Sequence, residues 1–190
     1  MIRVKKTSNH NRLGGRTSTM LEAMTVQQIH NEAMNVMAQG ISRTAWHVLD
    51  LLFAGGIMTV EQLGLTSRTL RRYAAKRIID RYAFSPGFVI RQLKEYGLEI
   101  ESGQLYTLGP VGAEIVQMRH GIKPPSGYLA YTLERVLHDV IVNQIVQEIA
   151  AQASAYGWET IWASKYESSL FREDVPILEP DAYIRLERGE

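Results

Sequence analysis

Apolar residues recur at helical spacing along much of the first two thirds of the chain. The clearest run follows Ser42, which can cap a helix that Gly55 and Gly56 end. Its apolar positions share one face: Ala45, Val48, Leu49, Leu52 and Phe53. A looser pattern over residues 19–39 stops at Gly40 and predicts a leading helix.

A pair of short helices joined by a glycine turn is predicted next. Thr59 can begin the first helix with a capping box that Gln62 completes. Gly64 ends it, because glycine adopts the left-handed backbone of a helix C-terminus at little cost. Thr66 or Ser67 then caps a second helix. That helix carries five basic residues: Arg68, Arg71, Arg72, Lys76 and Arg77.

Branched and alternating residues indicate strands after this basic helix. Residues 77–84 predict one strand, and residues 85–97 predict a helix with proline near its start. Residues 98–100 and 104–108 flank a Ser-Gly pair and predict a hairpin. Such a hairpin after two short helices is typical of a winged helix-turn-helix.

The remainder of the chain has a different organisation. A helix from Pro110 to Gly121 precedes residues 123–127, a Pro- and Gly-rich stretch that we interpret as a linker. Beyond it, residues 128–156 predict one long helix, and residues 160–164 and 182–187 predict strands. A helix followed by strands indicates an α/β layer.

Composition excludes some classes of protein. The chain has 190 residues, of which 45% are hydrophobic, so it can form a buried core. It has no cysteine, which excludes disulfides and thiolate metal sites. No apolar run has the length of a membrane span, and the first residues have no signal-peptide pattern. We therefore expect a cytoplasmic protein without a membrane partner.

The formal net charge of +1 conceals an uneven distribution of charge. Residues 1–20 contain five basic residues and no acid, whereas the segment from Glu159 onward is rich in acids. We interpret residues 1–18 as a disordered basic arm; the alternative is a leading segment without a role. A basic front of this kind is typical of proteins that contact nucleic acid.

The basic helix supplies the candidate DNA-binding residues. Side chains at i, i+3 and i+4 share one face of a helix, and arginine can hydrogen-bond guanine or neutralise phosphate. Hydroxyl groups nearby can add phosphate contacts. The predicted DNA-binding residues, including two from the next helix, are Ser67, Arg68, Thr69, Arg71, Arg72, Lys76, Arg91 and Lys94. The alternative is a basic face that binds an acidic protein partner.

The helix over residues 85–97 competes for the role of recognition helix, because it leads directly into the predicted hairpin. It carries only Arg91 and Lys94, and Glu95 opposes them. We favour the helix from Arg68 to Lys76, which makes residues 85–97 an insertion within the wing.

A Pro-Asp pair before a strand raises a second hypothesis, a metal-dependent nuclease or DNA-relaxation enzyme. Such chemistry needs two or three carboxylates around a divalent metal and a lysine that positions water. Asp181 would be the first carboxylate, with Glu134 or Glu148 from the long helix as another. No acidic-x-Lys sequence follows before Glu190, and Asp181 can equally well cap a turn into the strand. We assign no catalytic residue, metal or cofactor, and expect no enzymatic activity and no small-molecule substrate.

The ordered set of motifs over residues 42–187 resembles the replication-relaxation family of plasmid and mobile-element proteins. These motifs are EQL, the arginine-rich helix, LYTLGPVGAEI, HDVIVNQI, W-x-S-K-Y-E and PDAYIRL. The basic helix alone also looks locally like that of mercury-resistance-type regulators. The family resemblance implies a winged-helix DNA-binding domain, followed by a nuclease-like α/β domain of the PD-(D/E)XK kind.

The predicted fold class is therefore α+β, with an N-terminal winged helix-turn-helix and a small, incomplete α/β domain. The predicted segments are the arm (1–18), the winged helix with its leading helix (19–122), the linker (123–127) and the α/β domain (128–190). We expect a homodimer that binds double-stranded DNA sequence-specifically, with its interface on helix 128–156 or helix 19–39, because two modules match palindromic sites. Its expected roles are plasmid replication or relaxation, transfer, or transcriptional control.

Overall fold

A computed structural model describes most of the chain from Met24 onward. The described residues are 24–82, 85–122, 124, 133–163, 165–168, 170–172, 175–178 and 180–188. The predicted arm over residues 1–18, the first residues of the 19–39 helix and most of the 123–127 linker lie outside them.

Helices and short antiparallel strands alternate along the described residues, which confirms the α+β class. The helices are α1 (Val26–Ala38), α2 (Arg43–Gly55), α3 (Val60–Leu63), α4 (Ser67–Ala75), α5 (Pro86–Glu95), α6 (Pro110–His120), α7 (Leu133–Ala155) and α8 (Lys165–Ser168). The strands are β1 (Ile57–Thr59), β2 (Ile79–Arg81), β3 (Leu105–Leu108), β4 (Trp158–Ala163), β5 (Leu170–Arg172), β6 (Val175–Leu178) and β7 (Tyr183–Arg188). Within the described ranges, no helix has the length and apolar character needed to cross a membrane.

The predicted helix boundaries around α3 and α4 are confirmed. The Thr59 hydroxyl accepts a hydrogen bond from the Gln62 N–H, and the Gln62 side chain accepts one from the Thr59 N–H. Gly64 ends α3 with φ 62°, a conformation that favours glycine. Thr66 then caps α4 by accepting a hydrogen bond from the Thr69 N–H. Local hydrogen bonding thus fixes the turn between the two helices.

Three strands from distant parts of the chain form one antiparallel sheet in the order β1-β3-β2. The central strand β3 pairs with both neighbours, so Tyr106 lies opposite Met58 on one side and Arg81 on the other. The predicted hairpin between residues 98–100 and 104–108 is therefore wrong. Residues 98–100 follow the end of α5 and belong to no strand: the Leu98 N–H donates to the Leu93 carbonyl of α5.

The basic helix ends at Ala75. The prediction that Arg77 lies on this helix is therefore wrong. Arg77 lies in the turn before β2 with φ 57°, a backbone conformation that costs about 1–2 kcal/mol in a residue with a Cβ. Its guanidinium pairs with the buried Asp80 carboxylate, with Nε and Oδ1 3.1 Å apart. Of the predicted strand over residues 77–84, Ile79–Arg81 are observed as a strand, and residues 83 and 84 lie outside the described residues.

Helices cover both faces of the three-stranded sheet. One face packs against α2, α4 and α6, and its buried residues include Leu49, Leu70, Ile79, Tyr106 and Ile115. The opposite face packs against α5 and α7, and its buried residues include Ile57, Val89, Leu93, Leu105, Val136, Leu137 and Val140. Alternation along each strand directs successive side chains to opposite faces. The long helix α7 therefore contributes directly to the core around the first sheet.

Buried amide side chains attach α7 to this sheet and to α3. The Asn143 Nδ2 atom donates to the carbonyls of Gly55 (3.0 Å) and Ile57 (2.6 Å). The Gln62 Nε2 atom donates to the Val140 carbonyl at 2.8 Å. In return, the Gln147 Nε2 atom donates to the Gln62 carbonyl at 2.9 Å. The bonds to Gly55 and Gln62 satisfy carbonyls near the ends of α2 and α3, which have no partner within their own helices, and the bond to Val140 ties α3 to the middle of α7.

Short strands follow α7 and form two small sheets. β4 pairs with β7, and β5 pairs with β6, both antiparallel. The predicted strands over residues 160–164 and 182–187 are thus observed as Trp158–Ala163 and Tyr183–Arg188. The half-buried Trp162 of β4 packs against the core beneath α2 and α6.

We expect Asn143→Ala to lower the free energy of unfolding by about 1–3 kcal/mol, because buried carbonyls lose their hydrogen-bond donor. Urea denaturation of the variant and the wild type measures this difference. Gln152→Ala, at an exposed position of the same helix, is the matched control and should change the stability by less than about 0.5 kcal/mol. Equal stabilities of the two variants would show that the Asn143 bonds do not hold α7 in place.

Candidate nucleic-acid interface

Helix α4 is anchored by its inner side, which leaves its outer side exposed. Leu70 and Tyr73 are buried in the core beneath the sheet. The hydrogen bond from the Thr69 N–H to the Thr66 hydroxyl fixes where the helix begins, at 3.3 Å. Because residues three and four apart share a helix face, this anchoring determines which side chains point outward.

Four cationic side chains occupy the exposed side of α4 and its last turn: Arg68, Arg71, Arg72 and Lys76. The exposed Ala75 lies between them on the same face. The helix contains no acidic residue, and in the described ranges none of the four cations forms an ion pair. Their charges therefore add up to a positive surface that is available to an anion.

Three arginines elsewhere in the described chain are paired with acids, unlike those of α4. Arg77 pairs with Asp80, and the Arg119 Nη1 atom lies 3.2 Å from Asp50 Oδ2. Arg185 pairs with Glu187 at 2.7 Å. Pairing neutralises these three charges locally, whereas α4 and its last turn hold four cations without an ion-pair partner in the described ranges.

The two hydroxyl residues predicted to contact phosphate lie at the start of α4. Ser67 is its first residue, and Thr66 caps the helix before it. The Thr69 hydroxyl lies 3.1 Å from the Thr66 hydroxyl. The Thr69 side chain thus already takes part in beginning the helix, whereas Ser67 stands at the helix N-terminus, where backbone N–H groups favour anions.

Arg81 of β2 adds a cation that the sequence analysis did not select. It lies opposite Tyr106 in the sheet register, on the side of the sheet that packs against α4. Burial raises the pKa of the Tyr106 phenol, while the nearby charges of Arg81 and Arg71 act in the opposite direction. Both guanidinium groups therefore lie near Tyr106, and the only sequence signal for Arg81 was a basic residue within a predicted strand.

Helix α5 presents a weaker basic surface than α4. Arg91 and Lys94 are both exposed, and the Arg91 guanidinium lies 5.4 Å from the centroid of the Phe88 ring. The Glu95 carboxylate on the same helix accepts a hydrogen bond from Gln92 at 3.3 Å. Since Val89 and Leu93 of α5 are buried toward α7, the helix has only two outward cations and a nearby acid.

Glu61 connects α3 to the loop that precedes β3. Its Oε1 atom accepts hydrogen bonds from the N–H groups of Glu101 (3.1 Å) and Ser102 (2.9 Å). Burial raises the pKa of Glu61, but hydrogen bonds, that from Ser102 first among them, outweigh burial and hold the pKa below its usual range. The ionised carboxylate thus positions the loop beside the turn between α3 and α4.

The residues of the nuclease hypothesis do not converge on one point. Asp181 Oδ2 lies 3.7 Å from His138 Nε2, and His138 Nδ1 lies 3.5 Å from Asp139 Oδ1. The Glu148 carboxylate accepts a hydrogen bond from Gln144. Among the described residues, no group of three or more acids, histidines or cysteines is arranged to hold a metal ion. The nuclease hypothesis stays a prediction.

Comparison with known proteins adds no assignment. No protein-family model matches the chain, and no curated protein or solved structure shows significant similarity to it. The resemblance to the replication-relaxation family therefore stays a prediction. The function is inferred below from the exposed cations of α4.

We expect Glu61→Gln to lower the melting temperature at neutral pH, because the neutral amide is a weaker acceptor than the carboxylate. A lowered pKa stabilises the fold above the ordinary glutamate pKa of about 4.3, and this stabilisation disappears as the pH falls through the folded-state value. Solvent screening limits the effect to less than about 1 kcal/mol. Melting curves of both proteins between pH 7 and pH 3 should converge at the acidic end; a difference that is constant with pH would contradict this role.

Proposed function

We propose that residues 24–122 form a winged helix that binds double-stranded DNA, with α4 in the major groove. The observation that carries this proposal is the exposed face of α4, where four cations lie together without an acid or an ion-pair partner in the described ranges. A duplex presents closely spaced phosphates and guanine edges, which arginine binds well.

The order of elements supports this fold. Helix α2, strand β1, helices α3 and α4, and strands β2 and β3 follow one another as in a winged helix. The sheet order β1-β3-β2 is the order that a wing between the last two strands requires. In this arrangement α5 lies within the wing, between β2 and β3.

The geometry of α4 favours it over α5 as the groove-binding helix. Arg68 and Arg72 lie one turn apart on the outer face, with Arg71 and Ala75 beside them. The small side chain of Ala75 lets the helix backbone approach the base edges while the arginines extend to either side. Helix α5 offers Arg91 and Lys94, which we assign to phosphates that flank the groove, and Arg81 joins the α4 contacts.

The protein acts in this proposal as a non-enzymatic, cytoplasmic DNA-binding protein of a plasmid or mobile element. Its process is replication or relaxation, transfer, or transcriptional control, and this part rests on the family resemblance. A homodimer would place two α4 helices in successive major grooves, about 34–36 Å apart, and would match a palindromic site.

We expect Arg71→Ala combined with Arg72→Ala to weaken binding to a random-sequence duplex by about 30-fold or more at low salt, because each arginine contributes about 1–3 kcal/mol. Fluorescence anisotropy of a labelled duplex measures the dissociation constant. The control with the same loss of charge is Arg91→Ala combined with Lys94→Ala, which should weaken binding less than tenfold, a change of about 1.4 kcal/mol. A larger loss in this control would assign the groove to α5, and no loss in either variant would contradict DNA binding through these helices.

We expect the logarithm of the binding constant to fall linearly with the logarithm of the salt concentration. Each neutralised phosphate contributes a slope of about −0.9, so Arg68→Ala should make the slope less steep by about 0.9 per protomer. Titrations at several salt concentrations give both slopes. A slope near zero for the wild type would exclude phosphate contacts as the source of affinity.

A further inference from the structure

A cavity of about 260 Å³ lies behind the basic face of α4, bounded by α1, α2 and the connection between them. Its wall is mainly apolar and comes from α1, the α1–α2 connection, α2, α4, the turn after α4 and α6. The apolar lining residues are Val36, Ile41, Ala45, Leu49, Ile78 and Ile115. The exposed side chains of Arg72 and Lys76 lie at its edge, and no acidic residue lines it.

We propose that this cavity binds a small monocarboxylate with a compact apolar body. The volume of about 260 Å³ lies just below the roughly 300–1,000 Å³ of pockets for drug-sized ligands, so the ligand is a small molecule. The aliphatic wall favours a hydrocarbon or aromatic body, since burial of apolar surface stabilises the complex. The ligand needs only one negatively charged group, because the two cations that can bind it lie at the edge of the cavity and the rest of the wall is mainly apolar.

Three features of the edge favour a carboxylate over a neutral group. The Arg72 guanidinium presents a planar pair of donors that matches the two oxygens of a carboxylate. Lys76 supplies a second positive charge, and in the described ranges neither cation has an ion-pair partner. Ser42, which lines the cavity, caps α2, so the positive end of that helix dipole adds to the same field.

Occupation of the cavity would regulate DNA binding, and this part rests on the proposed function. Arg72 and Lys76 belong both to the edge of the cavity and to the exposed face of α4. A carboxylate that engages them removes their charge from the face that contacts phosphate. The two ligands therefore oppose each other, and by linkage DNA weakens carboxylate binding by the same factor.

The test uses phenylacetate as the probe and phenylacetamide as its neutral counterpart of equal size. We expect phenylacetate to bind the full chain with a dissociation constant at or below about 1 mM and to raise its melting temperature. Phenylacetamide should bind at least tenfold more weakly. In two-dimensional NMR spectra of the labelled protein, the shifted amides should cluster around residues 39–45 and 72–78.

Variants separate the cavity from the DNA surface. Ala45→Leu, which fills the cavity, and Arg72→Gln combined with Lys76→Gln, which changes only exposed residues, should each abolish the preference for phenylacetate. Arg68→Ala lies outside the cavity and should weaken DNA binding while it leaves phenylacetate affinity unchanged. Saturating phenylacetate should weaken DNA binding by about fivefold or more.

Failure of phenylacetate to bind, equal affinity for the amide, or binding that survives both cavity variants would overturn the carboxylate site. Phenylacetate binding in a protein that does not bind DNA would retain the site and overturn the proposed function instead. Binding to the cavity without an effect on DNA affinity would overturn the regulatory link.

Discussion

The buried Asn143 amide is the interaction on which the arrangement of the first sheet depends. It donates to the carbonyls of Gly55 and Ile57 and so joins the end of α2, the start of β1 and the middle of α7. Gly55 leaves room for this amide, since a Cβ at this position would lie 2.5 Å from the Asn143 Oδ1 atom and would displace it. With α7 fixed, both faces of a sheet of very short strands are covered, which strands of three or four residues need for stability.

Coverage of the sheet also determines where positive charge can reach the surface. Leu70 and Tyr73 bind α4 to one face of the sheet, so its cations point outward. Asp80 takes up the charge of Arg77 in the following turn. Packing thus places four cations without ion-pair partners, in the described ranges, on one short helix and its last turn, and the same packing leaves the cavity behind them.

Local chemistry explains which parts of the fold could be predicted from the sequence. The capping box of Thr59 and Gln62 and the turn at Gly64 involve residues within one turn of helix, so the pattern alone predicts them. The sheet depends on contacts between residues about fifty positions apart, such as Met58 and Tyr106, and its three-residue strands are too short for alternation to be visible. The predicted hairpin was wrong for this reason, and β1 was not predicted.

Candidate site residues also divide into those that local spacing predicts and those that only distant contacts bring together. The cations of α4 were predicted because a helix face follows from sequence spacing, whereas Arg81 joins them only through pairing of β2 with β3. The attachment of α7 depends on amide groups, such as those of Gln62 and Asn143, that are eighty or so positions apart and have no local signal. The cavity likewise arises from three separate stretches of the chain, residues 36–49, residues 72–78 and Ile115.

Hydrogen–deuterium exchange with and without a random-sequence duplex tests the central claim most directly, because it locates the contact surface without a substitution. The account predicts that DNA slows exchange most strongly in residues 66–76, with a smaller effect around residues 79–82. Slower exchange confined to residues 86–95, or no change anywhere in residues 24–122, would contradict the assignment of α4 as the DNA-binding helix.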